Sequence, residues 1–226
     1  RELRSGDVLH MEGGVVGTEG KILKLCNNII NSATGDKVST FESHAIHLDL
    51  DARRAAVISD TTMEKLDAHK VEWESPVVDR WYPESTDGFA TTLRDSVKMW
   101  ELDVLEHMSA HFYIQRFSLA CMQAMAMTGM TPHYNRDNRR GMSTFELDVR
   151  YLKELNGGDT VTIKSAVTDI GNSSIRYVHS MINEASGEVV ATMSQYGAFL
   201  DMDARKSTPM PDEIREKATA LLVTPD

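Results

Sequence analysis

The alternation of apolar and polar positions predicts a strand, a long helix and a run of strands in the second half of the chain. Residues 93–99 are a short strand candidate, and residues 107–128 are an apolar run without internal Gly or Pro. Because this run is apolar nearly all round, we expect a buried helix, for example one wrapped by a curved sheet. Four further strands, joined as an antiparallel meander, are predicted over residues 143–152, 161–170, 174–183 and 189–200. A short helix should begin near Pro211, and the predicted class is α+β.

The chain matches itself at an offset of 152 residues. About 15 of about 52 aligned positions are identical without a gap. The best-matching stretches are residues 3–7 with 155–159, 33–36 with 185–188 and 48–54 with 200–206. This self-similarity predicts a tandem duplication.

The duplication predicts how the chain is organised. Residues 1–59 would be the latter part of a first unit, residues 60–90 a linker, and residues 91–226 a complete second unit. The counterparts of residues 91–152 would lie before residue 1. We therefore expect roughly sixty further residues, holding another helix and two more strands, ahead of this sequence in the full protein.

Composition and charge narrow the classes of function. The net charge of −10 argues against a general nucleic-acid or membrane-surface binder, since both partners demand basic surfaces. No apolar run approaches the roughly 20 residues that a bilayer span requires. The two cysteines, Cys26 and Cys121, lie in apolar stretches, which favours buried thiols in a reducing compartment and a cytoplasmic protein. No Cys/His spacing is typical of zinc, so we expect no metal.

A polar motif stands where the first predicted strand gives way to the long helix. Asp103 is followed by His107 four residues later, by Ser109, and by Tyr113 ten residues after the acid. Free backbone N–H groups at a helix start can polarise a carbonyl while a nearby carboxylate attacks it or activates water. The alternative is that Asp103 only caps the helix, a common role for Asp.

The pattern Asp-x-x-x-His-[Met/Val]-[Asn/Ser/Thr]-x-x-x-Tyr resembles the hot-dog-fold acyl-CoA thioesterases, including the acyl-carrier-protein and betainyl-CoA branches. The resemblance implies an antiparallel sheet wrapped around a central helix, and hydrolysis of an acyl-CoA or acyl-carrier-protein thioester. Asp103 would be the nucleophile or general base, and His107 would hold Asp103 or a water. Ser109 departs from the Asn that is frequent at its position, and Glu106 replaces a frequent Gly. No cofactor is implied beyond the coenzyme A of the substrate.

Further residues are candidates for the same site. Glu146 is a second carboxylate, although a solvated strand acid is an equal alternative. Tyr113 would form a pocket wall, and Trp100 could contact a trimethylammonium acyl group. Arg139 and Arg140 belong to the densest cationic cluster and could bind coenzyme A phosphates, with a solvated loop as the alternative.

The resemblance also implies an assembly and leaves rivals open. In hot-dog proteins two units pair into one sheet and acyl-CoA binds in the groove between them, so we expect a homo-oligomer. One rival is a hot-dog acyl-CoA dehydratase, whose Asp-x-x-x-x-His spacing fits less well. Another is a non-catalytic acyl-CoA-binding or scaffold protein. Catalysis requires Asp103 to face a groove near helix N–H groups, whereas a cap would turn onto its own backbone.

Overall fold

The structure, a computed structural model, describes residues 3–52 and 54–225 and divides the chain into two units, Arg1–Arg80 and Trp81–Asp226. The first unit thus extends beyond the predicted boundary at residue 59. Trp73 Nε1 donates to Glu42 Oε2 at 2.8 Å, and Lys70 pairs with Val15. The segment that was predicted as a linker therefore contributes its first part to the packing of unit 1.

The first unit contains an antiparallel sheet of three strands. Its elements are β1 (Leu9–Glu19), β2 (Ile22–Asn31), β3 (Lys37–Ile46), β4 (Leu48–Asp49), β5 (Arg54–Ala55) and helix α1 (Asp60–Asp67). The sheet order is β1-β2-β3, with β4 and β5 as a separate short pair. Ser59 caps α1, because its hydroxyl accepts the backbone N–H of Thr62.

The second unit contains a larger antiparallel sheet and three helices. Its elements are β6 (Ala90–Ser96), α2 (Ala110–Met127), α3 (Pro132–Asp137), β7 (Arg140–Tyr151), β8 (Thr160–Ile170), β9 (Ser174–Asn183), β10 (Val189–Asp201), β11 (Lys206–Ser207) and α4 (Asp212–Thr219). A 3₁₀ turn, Met99–Glu101, lies between β6 and α2. The sheet order is β11-β10-β9-β8-β6, and β7 also pairs with β10.

Three sequence predictions need correction. The four-strand meander is wrong, because β7 pairs with β10 rather than with β8. Residues 152–159 carry the chain across the sheet, and the turn at Asp159 is hydrogen-bonded to Val97, which places β8 beside β6. The helix begins at Ala110 rather than at residue 107. The predicted loop after it contains α3, capped by Thr131.

Helix α2 packs on β6, β8 and β9. Its residues Phe117, Ala120 and Ala124 are buried, each at most 1% exposed. One apolar cluster lies under its N-terminal half and includes Ile163 and Met181; a second lies under its C-terminal half. The fold is therefore mixed, with a helix packed on an antiparallel sheet, as the residue pattern predicted.

A chain of polar side chains crosses this core. Thr92 Oγ1 donates to the carbonyl of Ile163 and lies 2.6 Å from Ser165 Oγ, which lies 2.7 Å from His179 Nδ1. The single hydroxyl proton of Thr92 is used on a carbonyl that can only accept, so Ser165 donates to Thr92 and His179 Nδ1–H donates to Ser165. His179 is fully buried, and its Nε2 atom has no hydrogen-bond partner among the described residues.

The elements of the two units correspond at the offset of 152 residues. Helices α1 and α4 coincide at both ends, as do β2 and β9, and β5 and β11. The hairpin turns match in detail: Gly35 and Gly187 have φ values of 73° and 72°, in the left-handed region that glycine tolerates. The side chains of Asn31 and Asn183 accept the same backbone N–H groups in the two turns.

Candidate active site

Asp103 lies on a tight loop that precedes α2. Its backbone N–H donates to the carbonyl of His107 at 2.8 Å, and Leu102 pairs with Met108 across the loop. The N–H groups of Leu105 and His107 donate to Asp103 Oδ1 at 2.8 and 3.3 Å. The carboxylate is exposed and turns one oxygen onto its own loop. Asp103 is nevertheless not the cap of α2, since Ser109 holds that position.

Glu106 closes this loop with a positive φ of 64°. A residue with a side chain is disfavoured in that region, and Gly occupies it most easily. A Gly at this position would adopt the same φ without a steric penalty. Glu106 adopts it at some cost in strain.

A buried ion pair fastens the loop to α2. Arg116 on α2 is 2% exposed and Glu101 is 7% exposed, and Arg116 Nη2 lies 2.7 Å from Glu101 Oε2. The same nitrogen lies 3.0 Å from Asp95 Oδ2 and donates to the carbonyl of Ser96. The carbonyl of Glu101 in turn accepts the N–H of Ser109 at 2.9 Å. Glu101 therefore fixes both the loop that carries Asp103 and the first residue before the helix.

The segment after β7 forms the second side of the loop. His107 Nε2 lies 3.0 Å from Glu154 Oε2, and His107 pairs with Asn156. Tyr113 is buried, its hydroxyl donates to the carbonyl of Lys153 at 3.4 Å, and its ring meets Tyr151 edge-on. Burial raises the pKa of Tyr113 to about 12, so the phenol stays protonated at neutral pH. The structure therefore places Tyr113 directly behind the loop that carries Asp103, and its role as a pocket wall stays a prediction.

Three of the predicted site residues thus lie on one short segment of the chain. Asp103, His107 and Ser109 all lie between the 3₁₀ turn and the first turn of α2, with Tyr113 directly behind them. Trp100 lies on the 3₁₀ turn and is 77% exposed. The exposed side chains of Trp100 and Val104 give the Asp103 loop an apolar rim.

Glu146 is not brought to this segment. On β7 the odd-numbered residues Val149 and Tyr151 face α2, so Glu146 points to the opposite face of the sheet. There its Oε1 lies 2.8 Å from the nearly buried Arg176, which also stacks over Tyr196. Glu146 is therefore held in an ion pair on the far side of the sheet from the Asp103 loop of the same chain, and its role as a second catalytic carboxylate stays a prediction.

Arg139 and Arg140 also lie away from the loop. They stand at the start of β7, roughly 36 Å along that strand from Tyr151. Arg139 is paired with Asp203 and Arg140 with Asp201, both at 2.9 Å. The two arginines therefore lie far from Asp103 within one chain and are paired with carboxylates, and their role in binding coenzyme A phosphates stays a prediction.

One known protein family matches more than half of the chain. The profile of the thioesterase-like superfamily matches residues 97–218, which is just over half of the chain. The chain belongs to the thioesterase-like superfamily. The match begins before the Asp103 loop and ends in α4, so it covers the whole candidate site of this superfamily member.

Solved structures share the fold of part of the chain. A hypothetical protein from Staphylococcus aureus, in complex with CoA, is 18% identical with a TM-score of 0.55, over 58% of this chain and 83% of that one. A predicted thioesterase from Bacillus stearothermophilus is 21% identical with a TM-score of 0.54, over 61% and 99%. A thioesterase from Thermus thermophilus, complexed with coenzyme A and Zn, is 24% identical with a TM-score of 0.52, over 60% and 96%. No curated protein sequence matches the chain significantly.

The described part of this superfamily member shows neither a membrane-spanning helix nor a cluster of metal ligands. No helix within residues 3–52 and 54–225 is long and apolar enough to cross a membrane. In the same described part, no group of three or more His, Cys, Asp or Glu side chains is placed to hold a metal ion.

Sequence reasoning missed the Glu101–Arg116 pair and the contact that His111 makes with Ser109. Arg116 is a charged residue within an apolar helix pattern, yet it is almost completely buried. Its spacing gave a hint, because Arg116 follows Tyr113 by three residues and Phe112 by four, on the buried side of α2. His111 lies in a position that the motif leaves unspecified, so the pattern alone gave no reason to select it.

Proposed function

We propose that the chain hydrolyses an acyl-CoA thioester to a free acid and a thiol, with Asp103 as nucleophile or general base. The observation that carries the proposal is the placement of an exposed carboxylate on a loop that is fastened to the start of α2. Membership of the thioesterase-like superfamily supports the reaction, and the CoA complexes of two proteins with the same fold support coenzyme A as the carrier. Acyl-carrier-protein is the second possible carrier.

The Asp103 carboxylate and the N–H groups at the start of α2 have different roles in the proposed reaction. Asp103 Oδ1 accepts both hydrogen bonds found within the described residues, so Oδ2 is the oxygen that would meet the thioester carbonyl or a water. The N–H groups of Ala110 and His111 precede the first hydrogen bond of the helix, which Phe112 N–H makes to the carbonyl of Ser109, and they can stabilise the developing oxyanion. We propose that the protein's own residues suffice for this step, with no cofactor and no metal.

The test is thiol release from a panel of short, long, aromatic and betainyl acyl-CoAs by the wild type and Asp103→Asn. We expect release to fall by on the order of a hundredfold or more in the variant. Asp169→Asn is the matched control, because Asp169 is an exposed Asp far from the Asp103 loop. It lies on β8, roughly 30 Å along that strand from Thr160, the end of β8 that follows the turn bonded to Val97. Equal release by wild type and Asp103→Asn would exclude Asp103 from catalysis.

The bonds from Leu105 and His107 to Asp103 favour a second candidate, a non-catalytic acyl-CoA-binding protein in which Asp103 only shapes its loop. Calorimetry distinguishes the two candidates. Binding of coenzyme A by a folded protein that releases thiol from no substrate supports the second one and rejects hydrolysis.

We further propose that the chain is a tandem duplication. The matching ends of α1 and α4 and the matching hairpin turns support it. Exchanging residues 33–36 with residues 185–188 tests the equivalence, because the two stretches differ only by Thr against Ser and Asp against Glu. We expect the exchange to change the free energy of unfolding by less than about 0.5 kcal/mol, because both turns use the same backbone geometry. A loss of several kcal/mol would contradict it.

We propose a homo-oligomer as the assembly. Among the described strands β7 pairs only with β10, and it exposes Phe145 and Leu147, at 66% and 49%, beside its open edge. An open edge with apolar side chains favours association with a second copy. Light scattering of the wild type and Phe145→Lys tests this, and a monomeric wild type would refute it.

A further inference from the structure

The hydroxyl of Ser109 is diverted from its ordinary role. A Ser at this position normally accepts a backbone N–H of the first helical turn. The other two hydroxyl caps among the described helices do so: Ser59 accepts from Thr62, and Thr131 accepts from Tyr134. Ser109 makes no such bond within the part of the chain that the structure describes. The Ser109 hydroxyl is therefore free to bond to a group other than the helix backbone.

His111 is the residue that holds it. Its Nδ1 atom lies 3.1 Å from Ser109 Oγ. The imidazole ring lies against Phe112, with 4.0 Å between the ring centroids, and Phe112 packs against the buried core under α2. This contact restricts the ring on one side. The Ser109–His111 pair is thus a local arrangement on the first turn of α2, directly after the Asp103 loop.

The direction of this hydrogen bond decides what Ser109 can do. A hydroxyl has one proton to donate, whereas it can accept two bonds. If His111 Nδ1–H donates to Ser109 Oγ, the Ser109 proton stays available for a thioester carbonyl. If Ser109 instead donates to His111, that proton is consumed and only lone pairs remain. The first arrangement is the one that can stabilise an oxyanion.

We infer that His111 is a positioning residue that donates to Ser109 and directs its hydroxyl proton towards the thioester carbonyl. The inference rests on the proposed function and names a residue which the motif leaves unspecified. The Ser109–His111 pair supplies two connected hydrogen-bonding groups at the place where a single carboxamide is frequent in related sequences. Ser109 touches the reacting carbonyl in this scheme, and His111 acts only through Ser109.

Three substitutions of His111 test the direction of the bond. Asn places an N–H donor close to the position of Nδ1, Asp places only an acceptor there, and Ala removes the group. We expect His111→Ala and His111→Asp to lower kcat by on the order of tenfold with KM nearly unchanged, and His111→Asn to restore most of kcat. Rescue by Asp but not by Asn would overturn the assigned direction.

A double-mutant cycle tests whether His111 acts through Ser109. We expect His111→Ala to have no further effect on kcat in the Ser109→Ala background, because the group that it positions is gone. Additive losses would overturn the inference. The melting temperature of each variant is measured in parallel, since a purely structural role would lower it and would not respond to Asn.

The test of the positioning role of His111 can fail without the test of thioester hydrolysis failing. If the wild type releases thiol and Asp103→Asn does not, hydrolysis stands whatever His111 does. Unchanged kinetics of His111→Ala in that situation would overturn only the present inference. If the wild type releases no thiol from any acyl-CoA, the proposed function fails, and the positioning role of His111 falls with it.

Discussion

Mild acid should destabilise the second unit through His179. This side chain is fully buried, and burial lowers its pKa from 6.5 to about 3. Between these two values the unfolded chain binds a proton that the folded chain does not bind, so the free energy of unfolding falls as the pH falls. Above pH 6.5 neither state is protonated at His179, and the effect disappears.

The magnitude follows from the difference in pKa. Each pH unit in this window changes the free energy of unfolding by about 1.4 kcal/mol. Lowering the pH from 6.5 to 5 therefore costs about 2 kcal/mol through His179 alone, and about 5 kcal/mol is the upper limit near pH 3. The loss is large against the total stability of a typical domain, which is about 5–15 kcal/mol.

Urea denaturation at pH 7 and pH 5 measures the effect, with His179→Leu as the perturbation. Leu has a similar volume and no charge, so we expect the variant to lose about 2 kcal/mol less than the wild type between the two pH values. Ile163→Val is the control, since Ile163 lies on the core face of β8, the strand beside that of His179. This substitution should lower the free energy of unfolding by about 1 kcal/mol equally at both pH values. If the wild type and His179→Leu lose the same stability, the buried neutral His179 is refuted.

Three further predictions concern the candidate site and the helix caps. Arg116→Met should lower the free energy of unfolding by about 3–5 kcal/mol, because it leaves Glu101 buried without its partner; adding Glu101→Leu should recover most of this loss in urea denaturation. Trp100→Ala should change stability by less than about 0.5 kcal/mol, since the ring is exposed, while KM for the preferred acyl-CoA rises several-fold in steady-state kinetics. Ser59→Ala should lower the free energy of unfolding by about 1 kcal/mol through the lost cap of α1, whereas Ser109→Ala should lower it by less than about 0.5 kcal/mol. Thermal melting measures both, and equal losses would contradict a Ser109 hydroxyl that does not cap α2.

Some strands of the second unit could be predicted closely from the sequence, whereas the strand predicted over residues 93–99 lies three residues earlier as β6, and β7 begins three residues before the predicted residue 143. The predicted strand over residues 174–183 coincides with β9, and that over residues 189–200 with β10 to within one residue. Alternation identifies which side chains face the core, and turn residues mark the ends. The neighbour of β7 could not be predicted in this way, because alternation sets the faces of a strand and not the strand beside it.

The candidate site could be predicted only in part. The residues around Asp103 follow one another in the chain, so the motif was sufficient to place them together. The start of α2 was predicted too early because Met108 continues the apolar run, although its N–H pairs with Leu155 outside the helix. The burial of Arg116 depends on Glu101 and Asp95, and a single charged residue in a helix pattern does not show that such partners exist.

The pairing of β7 with β10 has a consequence for the order of folding. Strands β8, β9 and β10 form by local hairpins, whereas the pairs of β7 with β10 join residues from 40 positions apart, Tyr151 with Ala191, to 61 apart, Arg140 with Asp201. Closing such long loops costs more entropy, so β7 should dock late. The Asp103 loop depends on Leu155 and Asn156, which follow β7, and is completed only after that docking. Substitutions in the candidate site should therefore accelerate unfolding and leave the refolding rate almost unchanged, so that the loop matures on a scaffold that has already folded.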